Sequence, residues 1–445
     1  MTDFLYVKQL YNSPADRTVE ELKQLYQNDK LLKSLIYDLV YPELIGTGLL
    51  IGKKVLLKPN LVLHNRKTDD EICLRTDFNV ILCLLEIVLE QKPLSVVVGD
   101  APIQGCNWEL VITETFLGQV KQLSDKYGIP VRVKDFRRVT FSPDKNNPVR
   151  ERNPLSEYII FDVGRKSYLE PITDPAKSVF RVTNYNPDRL AESHAPGVHK
   201  YCITREVFES DVVISIPKLK THQKTGVTAA LKNLVGVNGD KDYLPHHRIG
   251  GTGFGGDCYP GKNILRLWAE KLLDQANRNQ GKLQYWLWAK LSAGLWKLSK
   301  PRKVHQIAAA WHGNDTTWRM VMDLNQVVLF GKADGTLSDS RQRKLYSLGD
   351  GIIGGQGDGP LKPAPLALGM LTFTDNSALH DVALCKLMGF AEHKIPLINE
   401  ANQWIQNKEM NVYLNKKKIT LNELSEYKIQ TTPPPGWVDH LNERN

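Results

Sequence analysis

Three lysines, a histidine and several hydroxyls crowd one short part of the chain: Asp211-Val-Val-Ile-Ser-Ile-Pro-Lys-Leu-Lys-Thr-His222, then Thr225-Gly-Val-Thr-Ala-Ala-Leu-Lys-Asn233. The apolar run 212–216 predicts a buried strand of a parallel sheet. Pro217 breaks that strand and releases Lys218, Lys220, Thr221 and His222 at its carboxyl end. A helix is expected from near Thr225, carrying Lys232 and Asn233. Ligands of open α/β sheets bind outside the carboxyl ends of strands, and helix N-termini attract anions. The stretch therefore reads as a pocket for a negatively charged ligand, held by Lys218, Lys220 and Lys232 with Thr221 and Asn233 beside them. His222 is the expected proton carrier, because imidazole titrates nearest neutral pH.

Other polar groups fall where strands are expected to end. Lys58 and Asn60 close one strand, Asp100 the next and Asp350 a fourth, which suggests a shared crevice along one sheet edge. Lys58 and Asn60 would assist the anion, and Asp100 would serve as base. Asp350 and Asp358 offer hard oxygens to Mg²⁺ or Mn²⁺. Each is equally explained as a turn residue or a surface charge. The Gly-rich run 349–359 matches neither the dinucleotide fingerprint nor the phosphate loop. His312-Gly-Asn-Asp-Thr-Thr-Trp-Arg319 offers His312 as acid/base and Arg319 as anion clamp, against a plain helix cap at Asn314 or Asp315. His246 and His247 are adjacent and lack the i, i+4 spacing of a zinc helix.

The elements that must position these groups alternate strand with helix. Strands are expected at 55–57, 94–98, 131–133, 158–163, 179–183, 212–216, 327–330, 344–348 and in 364–373. Helices are expected from about 77 (capped by Thr76 or Asp77), over 108–127, 315–324 and 378–388, the last entered from Asp375. The fold class is α/β, a largely parallel sheet with helices on both faces and a helical insertion. The expected division is an N-terminal helical segment (1–50), an α/β core (51–400) with the insertion at about 261–302, and a C-terminal extension (401–445).

The chain has 445 residues, 42% hydrophobic and 24% charged, ordinary for a soluble globular protein. It contains no apolar run of the roughly 18 residues that cross a bilayer, and its start lacks a secretory pattern. Six scattered cysteines form no C-x-x-C pair. These features point to the cytoplasm and to reduced, mostly structural thiols. A net charge of +9 permits acidic partners, but no nucleic-acid module is present and nucleic acid is not expected. The segment 282–303 is basic, with Lys282, Lys290, Lys297, Lys300, Arg302 and Lys303 and no acidic residue. Leu283, Leu287, Trp288, Leu291, Leu295 and Leu298 form an apolar stripe at helical spacing, flanked by Trp286 and Trp296. Such a helix packs on its own domain, or meets a membrane surface or a protein partner.

Lys58-Pro-Asn60, Gly99-Asp100, the Pro-Lys-Leu-Lys-Thr-His run 217–222, Thr225-Gly226, Leu231-Lys-Asn233, Asp350-Gly-Ile, Gly357-Asp-Gly-Pro360 and Met388-Gly389 resemble the domain of unknown function 362 family over about residues 50–400. The resemblance implies a set of site residues and no particular reaction. Many members carry ferredoxin-type cysteine clusters; this chain lacks the closely spaced thiolates, so no iron–sulfur cluster is expected. The expectation is an enzyme acting on a phosphorylated or carboxylated small molecule, by divalent-metal-dependent group transfer or by isomerisation. The alternative is a non-catalytic protein that binds an anionic ligand or assembles at a membrane.

Overall fold

The computed structural model describes residues 2–11, 18–64, 71–141, 149–299 and 309–442. Two compact units result. The first comprises Met1–Phe136, Glu206–Val237 and Asp339–Asn445; the second comprises Arg137–Arg205 and Asn238–Ser338.

The first unit is built on a 12-stranded sheet. In chain order its main elements are β1 (Asp3–Gln9), α1 (Val19–Gln27), α2 (Asp29–Val40), β2 (Lys54–Pro59), α3 (Phe78–Glu90), β3 (Ser95–Asp100), α4 (Glu114–Tyr127) and β4 (Val131–Asp135). After the excursion into the second unit come β5 (Val212–Ile216), β6 (Lys218–His222), β7 (Gly226–Thr228) and α5 (Ala230–Asn233). The remainder is β8 (Lys344–Asp358), β9 (Lys362–Leu366), β10 (Met370–Thr374), α6 (Ser377–Leu387), α7 (Pro396–Ile405), β11 (Met410–Leu414) and β12 (Lys417–Ile419). The sheet runs β12-β11-β1-β10-β8-β5-β2-β3-β4, with β6 and β9 attached along β8 and β7 paired to β6.

The five neighbours β8-β5-β2-β3-β4 are mutually parallel, and β10 is antiparallel to β8 and β1. The fold is the expected α/β class, with helices on both faces. The β5 residues are buried throughout, as a central parallel strand requires. Helices α2, α3 and α4 pack in series, and α6 packs on α5 and α7. The α3 start follows the expected capping: Asp77 Oδ1 accepts from Asn79 N at 2.8 Å.

Local expectations fail where long-range pairing outranks propensity. No helix starts at Thr225. Residues 218–228 instead form a hairpin, with Lys220 opposite Thr228 and His222 opposite Gly226, whose φ of +76° makes the turn. The Gly-rich run belongs to β8 and is not a loop, because β6, β9 and β10 hydrogen-bond along it. The expected 108–127 helix divides into Trp108–Val111 and Glu114–Tyr127. Residues 1–50 contribute β1 as well as helices, and residues after 401 contribute β11 and β12, so both ends are parts of the sheet.

The second unit contains a three-stranded sheet of Tyr158–Asp162, Val198–Thr204 and His194–Ala195, a helical pair Ile264–Arg278 and Leu283–Leu298, and the helix Thr317–Phe330. The strand expected at 327–330 is the last turn of that helix. Residues 320–325 and 327–329 are all buried, so the helix continues through the core past residue 324. Asp323 anchors it, accepting from Tyr168 N (2.7 Å) and the Tyr201 hydroxyl (2.7 Å). Among the described residues, no helix is long and apolar enough to cross a membrane.

Helix α6 is capped by Asn376, not Asp375. Asn376 Oδ1 accepts from Ala378 N (2.9 Å) and Leu379 N (3.2 Å), and its amide donates to Asp3 Oδ2 (2.7 Å). Asp375 instead accepts from Phe4 N at 3.1 Å. Asn376→Ala removes two caps and one side-chain bond; chemical denaturation should show a loss of about 0.5–2 kcal/mol.

Candidate active site

Register brings the motif residues together. Parallel pairing sets Ser215 of β5 level with both Lys58 of β2 and Ser347 of β8. At this line and just beyond it, the Lys58, Lys218 and Lys220 side chains are fully buried. A buried ammonium must be paired or hydrogen-bonded, because its desolvation costs several kcal/mol.

Lys218 Nζ lies 2.8 Å from Asp350 Oδ2 and donates to the Tyr26 hydroxyl at 2.9 Å. Tyr26 in turn donates to Asp350 Oδ1 (2.6 Å), and the Tyr26 ring lies 5.1 Å from the ammonium. The backbone N–H of Asp77 completes the carboxylate's shell at 2.9 Å. Burial and the adjacent Asp350 charge hold the Tyr26 hydroxyl well above its ordinary pKa, so it stays protonated.

Lys58 Nζ contacts Asp100 Oδ1 (2.6 Å), the Pro59 carbonyl (2.9 Å) and Asn233 Oδ1 (3.1 Å). Asn233 Nδ2 donates to the Lys58 carbonyl and the Ser215 hydroxyl, which ties α5 to the two strand ends. Asp100 Oδ2 accepts from Leu61 N at 2.7 Å. Gly236 backs this pair: a Cβ there would lie 1.9 Å from Asp100 Oδ1, so the pair occupies the space a side chain would need. Burial lowers the Lys58 pKa against the pull of Asp100.

Among the described residues, no carboxylate pairs with Lys220. The lysine donates to the Leu74 and Pro360 carbonyls, and burial lowers its pKa to about 7. Asn60 Oδ1 is buried without a hydrogen-bond partner among the described residues, while its backbone N–H donates to Thr76 Oγ1 (2.9 Å).

An open cleft of about 450 Å³ lies over Lys33, Cys83, Glu86 and Lys126. A second, of about 430 Å³, reaches the buried network and is lined by Lys23, Tyr26, Arg75, Thr76, Asp77 and Asn79, among others. Arg75 is buried, donates to the Leu63 carbonyl and lies 5.3 Å from the Phe78 ring centre. Asp77 is half-buried; burial first, and then the Asp350 charge, push its pKa up to about 6, against the pull of Lys218. A carboxyl poised near neutrality beside a cleft is suited to moving protons. Asp77 and Tyr26 were not among the residues singled out from sequence. Asp77 read only as a helix cap, and Tyr26 reaches Asp350 across 324 residues of chain, which no local motif records.

The other expected site residues are distributed as follows. Thr221 is buried and donates to the Gly357 carbonyl at 3.0 Å. His222 is buried, its Nδ1 accepting from Lys224 N at 3.1 Å. Lys232 is half-buried on α5. Asp350 and Asp358 are not brought to one cation: Asp350 is buried against Lys218, and Asp358 is exposed beside Gln223, eight residues or roughly 26 Å farther along β8. His312 and Arg319 belong to the second unit. There Arg319 donates to Asp315 (3.1 Å) and the Tyr168 carbonyl (3.0 Å) and stacks on Trp318, while His312 is exposed. The anion-clamp expectation for Arg319 meets a guanidinium already engaged by its own unit.

A family model described as a domain of unknown function, DUF362, matches residues 163–386, half of the chain. No curated protein matches. Among solved structures, the chain is similar to a Thermotoga maritima protein determined by the Northeast Structural Genomics Consortium, at 12% identity and a TM-score of 0.32. That match covers 77% of this chain and 54% of the other, so the chain spans about half the length of the structure it matches.

The buried pair yields a direct prediction. Lys218→Met strands the Asp350 carboxylate and should cost about 3–5 kcal/mol in urea denaturation. Lys218→Met combined with Asp350→Leu removes both charges and should recover most of that loss. A double variant no more stable than the single one would show that packing, not charge, sets the cost.

Proposed function

We propose, for a chain that belongs to the DUF362 family, an enzyme acting on a small carboxylated or phosphorylated molecule bound in the cleft over Tyr26 and Asp77. One observation carries the reading: a cleft of about 430 Å³ places two cationic side chains, Lys23 and Arg75, next to a carboxyl whose pKa is raised to about 6. Arg75 and Lys23 receive the anionic group. Asp77, ionised above its raised pKa, takes a proton from the bound molecule. Its charge is moderated by the Tyr26–Asp350–Lys218 network behind it, which holds the carboxyl in place through the Asp77 backbone N–H. Proton abstraction, as in an isomerisation, fits this set better than group transfer on Mg²⁺ or Mn²⁺, since the two carboxylates first considered as metal ligands lie apart. We place the protein in the cytoplasm; six buried free cysteines support a reducing compartment.

The test is thermal unfolding against sugar phosphates, nucleotides and dicarboxylates, with and without Mg²⁺ or Mn²⁺. A true ligand at about 100 times its dissociation constant adds about 2.7 kcal/mol, and Arg75→Gln should remove the shift. With the ligand class known, activity should rise with pH through about 6 and level off above it, because the base works ionised; Asp77→Asn should abolish that rise together with turnover. No shift by any compound would defeat this reading.

A second reading rests on the helical pair of the second unit. Only part of the expected apolar stripe packs. Trp288 and Leu295 are half-buried and Ser292 bonds to the neighbouring helix, but Leu283 is 92% exposed, Leu298 75%, and Trp286, Leu287 and Leu291 are also open. Trp268 and Ile264 of the partner helix extend the same apolar exposure, and Lys282, Lys290 and Lys297 are exposed along it; Lys300, Arg302 and Lys303 lie outside the described residues. Tryptophan and leucine beside lysine is the composition of a helix lying in a membrane interface. In liposome flotation the chain should rise with anionic vesicles and not with neutral ones, and Trp286→Glu with Leu287→Glu should keep it in the pellet fraction.

A further inference from the structure

We propose that the second unit holds a transition-metal site of the Zn²⁺ class, formed by His247, Cys258 and Glu270. These residues come from three places in the chain: the short strand His247–Arg248, the segment that follows the loop 250–257, and the helix Ile264–Arg278. All three side chains are buried, and one ligand atom from each lies within 4.8 Å of the others. His247 Nε2 is 3.9 Å from Glu270 Oε1.

Two independent features mark the group as more than a chance cluster. Glu270 Oε1 is buried with no hydrogen-bond partner among the described residues, although Oε2 accepts from Gly250 N at 2.9 Å. An unsatisfied buried carboxylate oxygen is costly unless something cationic meets it. The loop 250–257 is also folded back tightly, so that Cys258 N donates to the Gly250 carbonyl at 3.0 Å. Gly256 permits that closure, since a Cβ there would lie 2.2 Å from the carbonyl oxygens of Ile249 and Gly250.

The donor set selects the metal. Nitrogen, thiolate sulfur and one carboxylate oxygen suit a borderline cation such as Zn²⁺, whereas Mg²⁺ and Mn²⁺ prefer oxygen alone. Three protein ligands leave a fourth tetrahedral position for water or a substrate atom. On loading, Cys258 releases its proton and Glu270 binds as the carboxylate, so uptake falls as pH drops.

The full chain, stripped with chelator and titrated with Co²⁺, provides the test. One equivalent should produce visible bands of tetrahedral Co²⁺ and a thiolate-to-metal charge-transfer band, both erased by Zn²⁺. Cys258→Ser should remove the charge-transfer band, and Glu270→Gln should weaken binding at least tenfold. The parent chain needs no variant to fold: absence of the thiolate band there, or its persistence in Cys258→Ser, overturns the assignment.

Discussion

The interior of the first unit depends on neutralising lysines where parallel strands end. Lys218 with Asp350 and Tyr26, and Lys58 with Asp100 and Asn233, convert charges that would be intolerable alone into fixed, hydrogen-bonded groups. Each solution recruits partners from different strands or helices. The pairs therefore act as fasteners between β2 and β3 and between β6 and β8, and their geometry specifies which strands lie side by side. Lys220, met by carbonyls among the described residues, has its pKa lowered to about 7 by burial.

This arrangement changes what the motif residues mean. Lysines at strand ends usually advertise an anion site, yet here two of the three spend their charge on the protein's own carboxylates. The cationic groups that line the cleft are different ones, the exposed Lys23 and the buried Arg75. The inner pairs set the electrostatic background against which Asp77 titrates. Family motifs and the accessible cleft are thus linked by a hydrogen-bonded chain and are not the same set of residues.

Much of the architecture was legible. The runs at 55–57, 94–98, 131–133 and 212–216 carry the continuous apolar signal of buried parallel strands, and the structure has strands at each. The failures share a cause. Residues 225–229 and the Gly-rich 349–358 have weak intrinsic preference, and their state is decided by β6 pairing with β7 and β8. Residues 327–330 look like a strand in isolation but are the last turn of a helix buried almost throughout from Met320 on. At the site, the clustering of Lys58, Asp100, Lys218, Asn233 and Asp350 could be read from strand ends, whereas Tyr26 and Asp77 could not, because only tertiary contact gives them a role.

The same long-range pairing has a consequence for a chain made from one end. Lys218 precedes Asp350 by 132 residues, so at ribosomal speeds of about 5–20 residues per second it waits roughly 7–26 s for its counter-ion. Over that interval β5 has its β2 neighbour but not β8, and an ammonium destined for the interior must remain in water. Tyr26 waits longer still. The central sheet cannot close in the order in which it is synthesised, which leaves a nascent intermediate with one unpaired edge and one hydrated lysine, the kind of species that chaperones recognise.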